Sequence, residues 1–399
     1  MKYQKDLVAK NKNILVRVDL NVPIIKKKII DNTKIVRLKK TIKDLSKKNN
    51  KIFLISHLGR PKGKKVNKYS LKPLTRELEK MIKSKKIHFI NNYKNTNIKK
   101  MINNMKFGEI CLFENIRFYK QEEKNDKNFS KKLSKHFHYY INDAFSASHR
   151  KHSSIVSIAN YLPSFCGFLF TKEILALKNN LKKPIRPSIA IIGGFKISTK
   201  IGLLKNLAKK LDYLIIGGGM ANTFLAAKGY DLGNSYIERK YFNEIKKIEK
   251  ISKKNNCKII LPIDVVTSNK LISKNKVRKT LIENINKDQS VFDIGQATCR
   301  AIKKVLINGN TILWNGPLGA FEYKPFNKST LEIGKYISHI MKKNNPIIIV
   351  GGGDTLASLK KIKVINKITY ASTSGGAFLE WIEGKKLPGI TALEKNKLV

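Results

Sequence analysis

The chain alternates short apolar runs with longer segments whose apolar residues recur every three or four positions. Runs at 13–18, 51–56, 87–90, 109–114 and 139–143 predict strands, because a few apolar β-formers between polar turns suit a sheet. Between them, 33–48 places Ile35, Leu38, Ile42 and Leu45 on one helical stripe. Segments 71–82 and 129–136 also predict helices, with Pro73 tolerable in a first turn. After Pro163, a helix over 169–181 is stopped by Pro184 and Pro187. The pattern then resumes, with strands at 188–192, 213–216, 258–263, 290–294, 311–314, 347–350 and 367–371 and helices at 221–228 and through Glu380. Repeated strand–helix units predict parallel sheets covered on both faces.

The expected fold is α/β: two Rossmann-like three-layer domains joined by a helix and hinge. The expected bounds are a first domain at 1–167, a helical linker at 168–187, a second domain at 188–384, and a tail at 385–399 packing on the first domain. Glycine supports the division, since 20 of the 24 glycines lie from Gly193 onward. The second domain is therefore expected to handle a different ligand from the first.

Polar chemistry gathers just after the predicted strands. Asp19 and Asn21 follow the first, with Arg17 near its end. His57 and Arg60 follow another, Arg117 a third, and His149 with Arg150 a fourth. Ligands of open α/β sheets bind beyond the carboxyl ends of the strands, so these residues are expected to converge. Several arginines and two histidines at one rim describe a pocket for a phosphate and a carboxylate. In the second half, strands end in Gly193-Gly194, Gly217-Gly218-Gly219 and Gly351-Gly352-Gly353. Glycine turns let backbone N–H groups approach a phosphate, and Asp354 could hold its cation. The same Asp354-Thr355 pair also reads as an ordinary helix start. Lys196 and Lys200 are expected on one face of a helix after Gly194, four residues apart.

Composition changes the picture in two places. The net charge is +53, yet the basic residues are spread along the whole chain rather than gathered in a patch. That implies salt-sensitive attraction to polyanions, without specific nucleic-acid recognition. Only ten of the 81 basic residues are arginine, so four at strand ends are informative. Cys111, Cys166, Cys257 and Cys299 show neither metal-ligand spacing nor a disulfide framework. With no apolar leader and no membrane-length run, a reduced cytoplasmic protein is expected. A nicotinamide dehydrogenase would need a Gly-x-Gly-x-x-Gly unit with a later acid, and none is evident.

Four stretches, Arg17-Val-Asp-Leu-Asn-Val-Pro23, Ser56-His-Leu-Gly-Arg-Pro61, Glu114-Asn-Ile-Arg-Phe118 and Asn142-Asp-Ala-Phe-Ser-Ala-Ser-His149-Arg150, resemble the first domain of the phosphoglycerate kinase family. Gly193-Gly194 with Lys196 and Lys200, Ile215-Ile-Gly-Gly-Gly-Met220, Leu313-Trp-Asn-Gly-Pro-Leu-Gly319 and Gly351-Gly-Gly-Asp-Thr355 resemble its second, in the family's order. The resemblance implies reversible phosphoryl transfer from 1,3-bisphosphoglycerate to ADP, giving 3-phosphoglycerate and ATP in glycolysis. It implies direct transfer on domain closure, Mg²⁺ accompanying the nucleotide, and a monomer. Asp19, Asn21, His57, Arg60, Arg117 and Arg150 would hold the three-carbon substrate, with Arg17 and His149 in the same patch. Lys196 and Lys200 would contact the phosphates around the transfer. Asp354 would bind Mg-nucleotide, with Gly351, Gly352, Gly353 and Thr355 at the phosphate-binding helix start and Thr373 and Ser374 on a further rim. Asn315 would face the phosphates and Glu322 the ribose, while Gly194, Gly217 and Gly218 would border the adenine. Three positions depart from the family pattern. Lys34 stands where the family has its catalytic arginine, with Arg37 three residues on as the alternative. Phe195 stands where a small residue is usual, and Ser374 replaces a glycine.

Overall fold

The computed structural model describes residues 1–398 except 26–27, 84–85, 182 and 273–275. Two compact units divide the chain: Met1–Leu175 with Lys386–Val399, and Ala176–Lys385. The division falls inside the helix Phe168–Leu181. In the first unit the returning segment is fastened locally. Gly389 N donates to Ser148 O at 2.9 Å, and Asn396 Nδ2 to Leu162 O at 3.0 Å.

The first unit holds a seven-stranded sheet in the order Lys2–Tyr3, Ser164–Cys166, Tyr139–Asn142, Asn13–Arg17, Lys51–Ile55, Ile110–Phe113, His88–Ile90. Every pairing in it is parallel. Ile14, Leu15 and Val16 are fully buried, as are Ile52, Phe53, Leu54 and Ile55, because helices cover both faces of a parallel sheet. Register sets Arg17 opposite Ile55 on one side and Asn142 on the other. The segments carrying Asp19, His57 and Arg150 therefore leave the sheet at one rim. The expected helix over 33–48 is two helices, Thr33–Arg37 and Lys39–Lys47, meeting at Leu38. The short strand Ser164–Cys166 and the helix Asn95–Asn104 were not legible from the pattern.

The second unit is built on a six-stranded parallel sheet, ordered Lys258–Ile260, Tyr213–Ile216, Ser188–Ile192, Thr311–Asn315, Ile347–Gly351, Tyr370–Ser372. Trp314 is fully buried, its Nε1 donating to Gly316 O at 2.8 Å. One expectation is corrected here. Ser290–Ile294 does not join the parallel sheet; it pairs antiparallel with Asp264–Ser268, which also pairs with Arg278–Leu281. The first three residues of Ser290–Ile294 are only half-buried, unlike the central parallel strands, so it lacks the two-sided cover such a strand needs. The strand expected over 258–263 stops at Ile260, and Asp264 instead caps a helix start, accepting from Ala297 N and Thr298 N at 2.9 and 2.7 Å.

Candidate active site

At the rim of the first sheet, Asp19 joins two other segments. Its Oδ2 accepts from Lys34 Nζ at 2.7 Å and from Ser146 Oγ at 2.5 Å, while Oδ1 accepts from Asn21 N at 3.0 Å. Burial disfavours its ionised form, but the Lys34 ammonium and these hydrogen bonds outweigh it and hold the carboxyl well below the usual range. Lys34 also donates to Asn21 O at 3.2 Å. Arg37 lies at the end of the same short helix, one turn on. Asn21 Oδ1 accepts from Gly59 N at 2.9 Å, tying the first rim segment to the His57 turn. Gly59 has φ +62°, and a Cβ there would lie 2.3 Å from the Tyr69 ring, so only glycine fits.

Arg17 is not a rim residue. It is fully buried, with Nε donating to Ser154 Oγ at 3.0 Å and NH2 to His57 Nδ1 at 3.0 Å. Ser154 in turn donates to the buried Glu122 at 2.6 Å. Burial, then the Arg17 and Arg117 charges, hold His57 well below its ordinary pKa. A guanidinium has only donors, so Nδ1 accepts, and the neutral ring carries its proton on Nε2. Arg17 thus holds the His57 ring through Nδ1. No sequence signal marked Glu122, whereas Ser146 lay inside a quoted motif without a role.

Arg117 is buried, donates from NH1 to Gly59 O at 2.9 Å, and leaves its buried Nε without a hydrogen-bond partner. Burial, then the Arg17 charge, pulls it down to about 10, and Arg150 adds to the effect. An orphaned donor among like charges suits an incoming anion. His149 is pulled down to about 4 by burial and by Arg150 beside it, so it is neutral at pH 7. Arg60 and Arg150 are exposed.

In the second unit Lys200 is the centre. Its Nζ donates to Gly193 O at 2.6 Å and Asn315 Oδ1 at 2.7 Å. Asn315 Nδ2 continues to Gly351 O at 2.8 Å, and Gly316 N donates to Thr355 Oγ1 at 2.7 Å. Three strand ends are laced together by one ammonium, one amide and one hydroxyl. Burial pulls Lys200 down to about 8, against the opposing pull of Asp354. Gly351 closes its strand, and Gly352, with φ +98°, precedes the helix Gly353–Lys361, where Asp354 is exposed and Thr355 buried. Free backbone N–H groups at that first turn favour anions.

The glycine turns pack on one another. A Cβ on Gly193 would fall 1.9 Å from Pro317 O, and one on Gly218 2.6 Å from Gly194 O. Gly217 packs as closely on Leu318. The expected shared helical face of Lys196 and Lys200 is corrected: Lys196 precedes a turn of 3₁₀ helix at Ile197–Thr199, and Lys200 precedes Ile201–Ala208. The turn after Gly194 uses up the residues that a helix would need. Lys196 is exposed, its Nζ 5.9 Å from the Tyr236 ring centre. Glu322 is exposed, Thr373 half-buried and Ser374 buried. Ser374 is not among the described residues with positive φ, which Gly375 takes instead at +46°, so serine is unstrained.

All four cysteines are buried and none is in a disulfide, with Cys257 pushed by burial up to about 11. No described helix is long and apolar enough to cross a membrane.

Comparison with known proteins meets this geometry. A family model described as phosphoglycerate kinase matches residues 4–385. The phosphoglycerate kinase of Chelativorans sp. is 43% identical over 391 residues, covering 98% of each chain, and that of Zymomonas mobilis is 42% identical, covering 97% of each. Among solved structures, phosphoglycerate kinase from Coxiella burnetii superposes with TM-score 0.90 at 36% identity, covering 99% of each chain. That from Pyrococcus horikoshii gives 0.84 at 29%, covering 99% of this chain and 98% of the other. The chain belongs to the phosphoglycerate kinase family, and its reaction is the reversible transfer of a phosphoryl group between 1,3-bisphosphoglycerate and ADP.

Proposed function

We propose that the basic rim of the first unit holds the three-carbon acyl phosphate and that the glycine rims of the second hold Mg-nucleotide. The observation that carries this reading is Lys200, fixed on Gly193 O and Asn315 beside the start of the helix Gly353–Lys361. A cation, a laced set of strand ends and free helix N–H groups form a cradle for a polyphosphate. No group of three or more candidate metal-ligating side chains occurs among the described residues. Mg²⁺ takes one or two carboxylates together with phosphate oxygens and water, and Asp354 supplies an exposed carboxylate at the start of that helix. When bound, Mg²⁺ supplies neutralisation of phosphate charge.

In the first unit, Arg117, Arg60 and Arg150 bind the phosphate and carboxylate of the substrate, and the His57 Nε2 proton points the neutral ring's donor at it. Asp19 and Asn21 orient the substrate hydroxyl and Lys34. Lys34 and Lys200 offset charge spread over the migrating group, with Lys196 joining when its ammonium leaves the Tyr236 ring. Arg37 is the alternative cation to Lys34. Asn315 faces the phosphates, Thr355, Thr373 and Ser374 line the rim, Glu322 meets the ribose, and Gly194, Gly217 and Gly218 border the base. The attacking ADP oxygen is already anionic, so alignment, charge and dryness suffice without a general base. Direct transfer needs both ligands in line, so closure of the two units belongs to this reading. The reading is completed by a monomer acting in the cytoplasm, as the family resemblance implies.

The test is a coupled assay of ADP-dependent turnover of 1,3-bisphosphoglycerate with varied Mg²⁺. Asp354→Asn is expected to raise the Mg²⁺ concentration needed for half-maximal rate at least about tenfold, a change of roughly 1.4 kcal/mol. An unchanged Mg²⁺ dependence removes Asp354 from the metal site.

A further inference from the structure

Glu122 is fully buried in the first unit and has no part in the chemistry above. It lies in the short helix Lys120–Glu123, just past the turn Ile116–Phe118 that carries Arg117. Its side chain reaches the loop that begins with His149 and Arg150. Oε2 accepts from Ser154 N at 2.8 Å, and Oε1 from Ser154 Oγ at 2.6 Å. His152 Nδ1 stands 3.6 Å from Oε1, and Ser153 N donates to the Glu122 backbone O at 2.9 Å. Burial opposes its ionised form, but the His152 ring and the Arg17 charge outweigh it and hold the carboxyl below its usual range. Arg17 is as deeply buried, and its partners Ser154 Oγ, Val18 O and His57 Nδ1 are all neutral. Its charge is therefore offset at one remove, across the Ser154 hydroxyl, by Glu122. A buried charge left without such an offset is strongly disfavoured.

We propose that Glu122 is a positioning residue for the transfer reaction: through Ser154 and Arg17 it fixes His57 with the Nε2 proton free for the three-carbon substrate. This rests on the reading that the rim holds that substrate. The order of protons along the chain of side chains follows from its two ends. A carboxylate only accepts and a guanidinium only donates. Ser154 Oγ therefore gives its proton to Glu122 and accepts from Arg17 Nε, and His57 Nδ1 accepts from Arg17 NH2. Glutamine at 122 breaks that order. It has one acceptor oxygen for two donors, Ser154 N and Ser154 Oγ, so its amide nitrogen faces one of them. The guanidinium then lacks its counter-charge, and nothing sets it against Nδ1 rather than elsewhere. Being fully buried, Glu122 acts on the substrate only through these neighbours.

The test joins the coupled assay to nitrogen NMR of the His57 ring in the full chain, for the parent, Glu122→Gln and Ser154→Ala. The parent ring is expected to carry its proton on Nε2 alone. Glu122→Gln is expected to give a mixture of tautomers, to raise KM for 1,3-bisphosphoglycerate about tenfold, and to leave KM for ADP within about twofold. Glu122→Asp keeps the charge one methylene short and is expected to fall between Glu122→Gln and the parent. If Glu122→Gln misfolds, Ser154→Ala carries the test, because it removes only the bridging hydroxyl; the same pattern is expected at smaller size. A ring that keeps its Nε2 proton in both variants, with KM unmoved, overturns the proposal. So does a loss shared equally by both KM values with the ring unmoved, since that is plain loosening of the fold. Arg117→Ala, which removes a rim guanidinium, tests the underlying reading. An unchanged KM for 1,3-bisphosphoglycerate in Arg117→Ala overturns the rim site itself, whereas a raised KM there with Glu122→Gln silent overturns only the role of Glu122.

Discussion

Lys34→Ala tests how this chain completes its transfer site without arginine at that position. An ammonium has three donors, and Lys34 commits two of them, to Asp19 Oδ2 at 2.7 Å and Asn21 O at 3.2 Å. One remains for the migrating group. Losing a single charged donor to a transition state typically costs roughly 3 kcal/mol, or about 10²-fold in rate. The lost ion pair is only part-exposed, 26% at Lys34 and 13% at Asp19, so its loss costs more than that of a surface pair, but the Asp19 carboxyl can take up a proton once the ammonium is gone. Asp19 also keeps its hydrogen bonds from Ser146 and Asn21. The variant is therefore expected to fold and to lose between about tenfold and a hundredfold in kcat in the coupled assay. Lys34→Arg is expected to recover most of it, because the guanidinium keeps both internal contacts and adds a donor. An unchanged rate in Lys34→Ala, with a loss in Arg37→Ala, refutes the assignment and moves the role to Arg37.

Two further expectations concern pH. Burial holds Lys200 at about 8, so kcat/KM for ADP is expected to fall as pH rises through 8, as the free protein loses the ammonium proton. A Lys200→Arg chain, always charged, should lack that limb at a lower plateau, and a persisting limb assigns it elsewhere. Asp143 is pushed by burial up to about 6, while its Oδ1 accepts from Leu169 N and Phe170 N and its Oδ2 from Thr41 Oγ1. A carboxyl raised in the folded state binds the extra proton there, so this group's contribution is lost as pH rises from about 4 through 6. Asp143→Asn keeps the Oδ1 acceptor, and the Thr41 hydroxyl can accept instead of donate. Urea unfolding should show the variant gaining on the parent across that window, by up to about 3 kcal/mol at pH 8. A difference that stays flat with pH rules this out.

The sequence by itself determined the central parallel strands and the motifs at their ends, because a parallel strand buried on both faces reads as an apolar run and its turn as glycine or charge. Asp19, His57, Arg117, the glycine turns and Lys200 were legible for that reason. Tertiary structure alone decided which side each residue faces and what it touches. Arg17 ends a strand like its neighbours, yet the sheet interior takes it up, and Ser154, itself donating to Glu122, accepts from it far along the chain. Lys196 and Lys200 share a helical spacing, yet the glycine turn delays the helix and sends their ammonium groups apart. Ser290–Ile294 has strand character, but no local pattern states which sheet it joins, since pairing is set by partners distant in sequence. Tyr236 carried no signal, because only the folded loops bring its ring against Phe195. Covalent order fixes what chemistry is available along this chain; burial and long-range hydrogen bonds fix which of it faces a ligand.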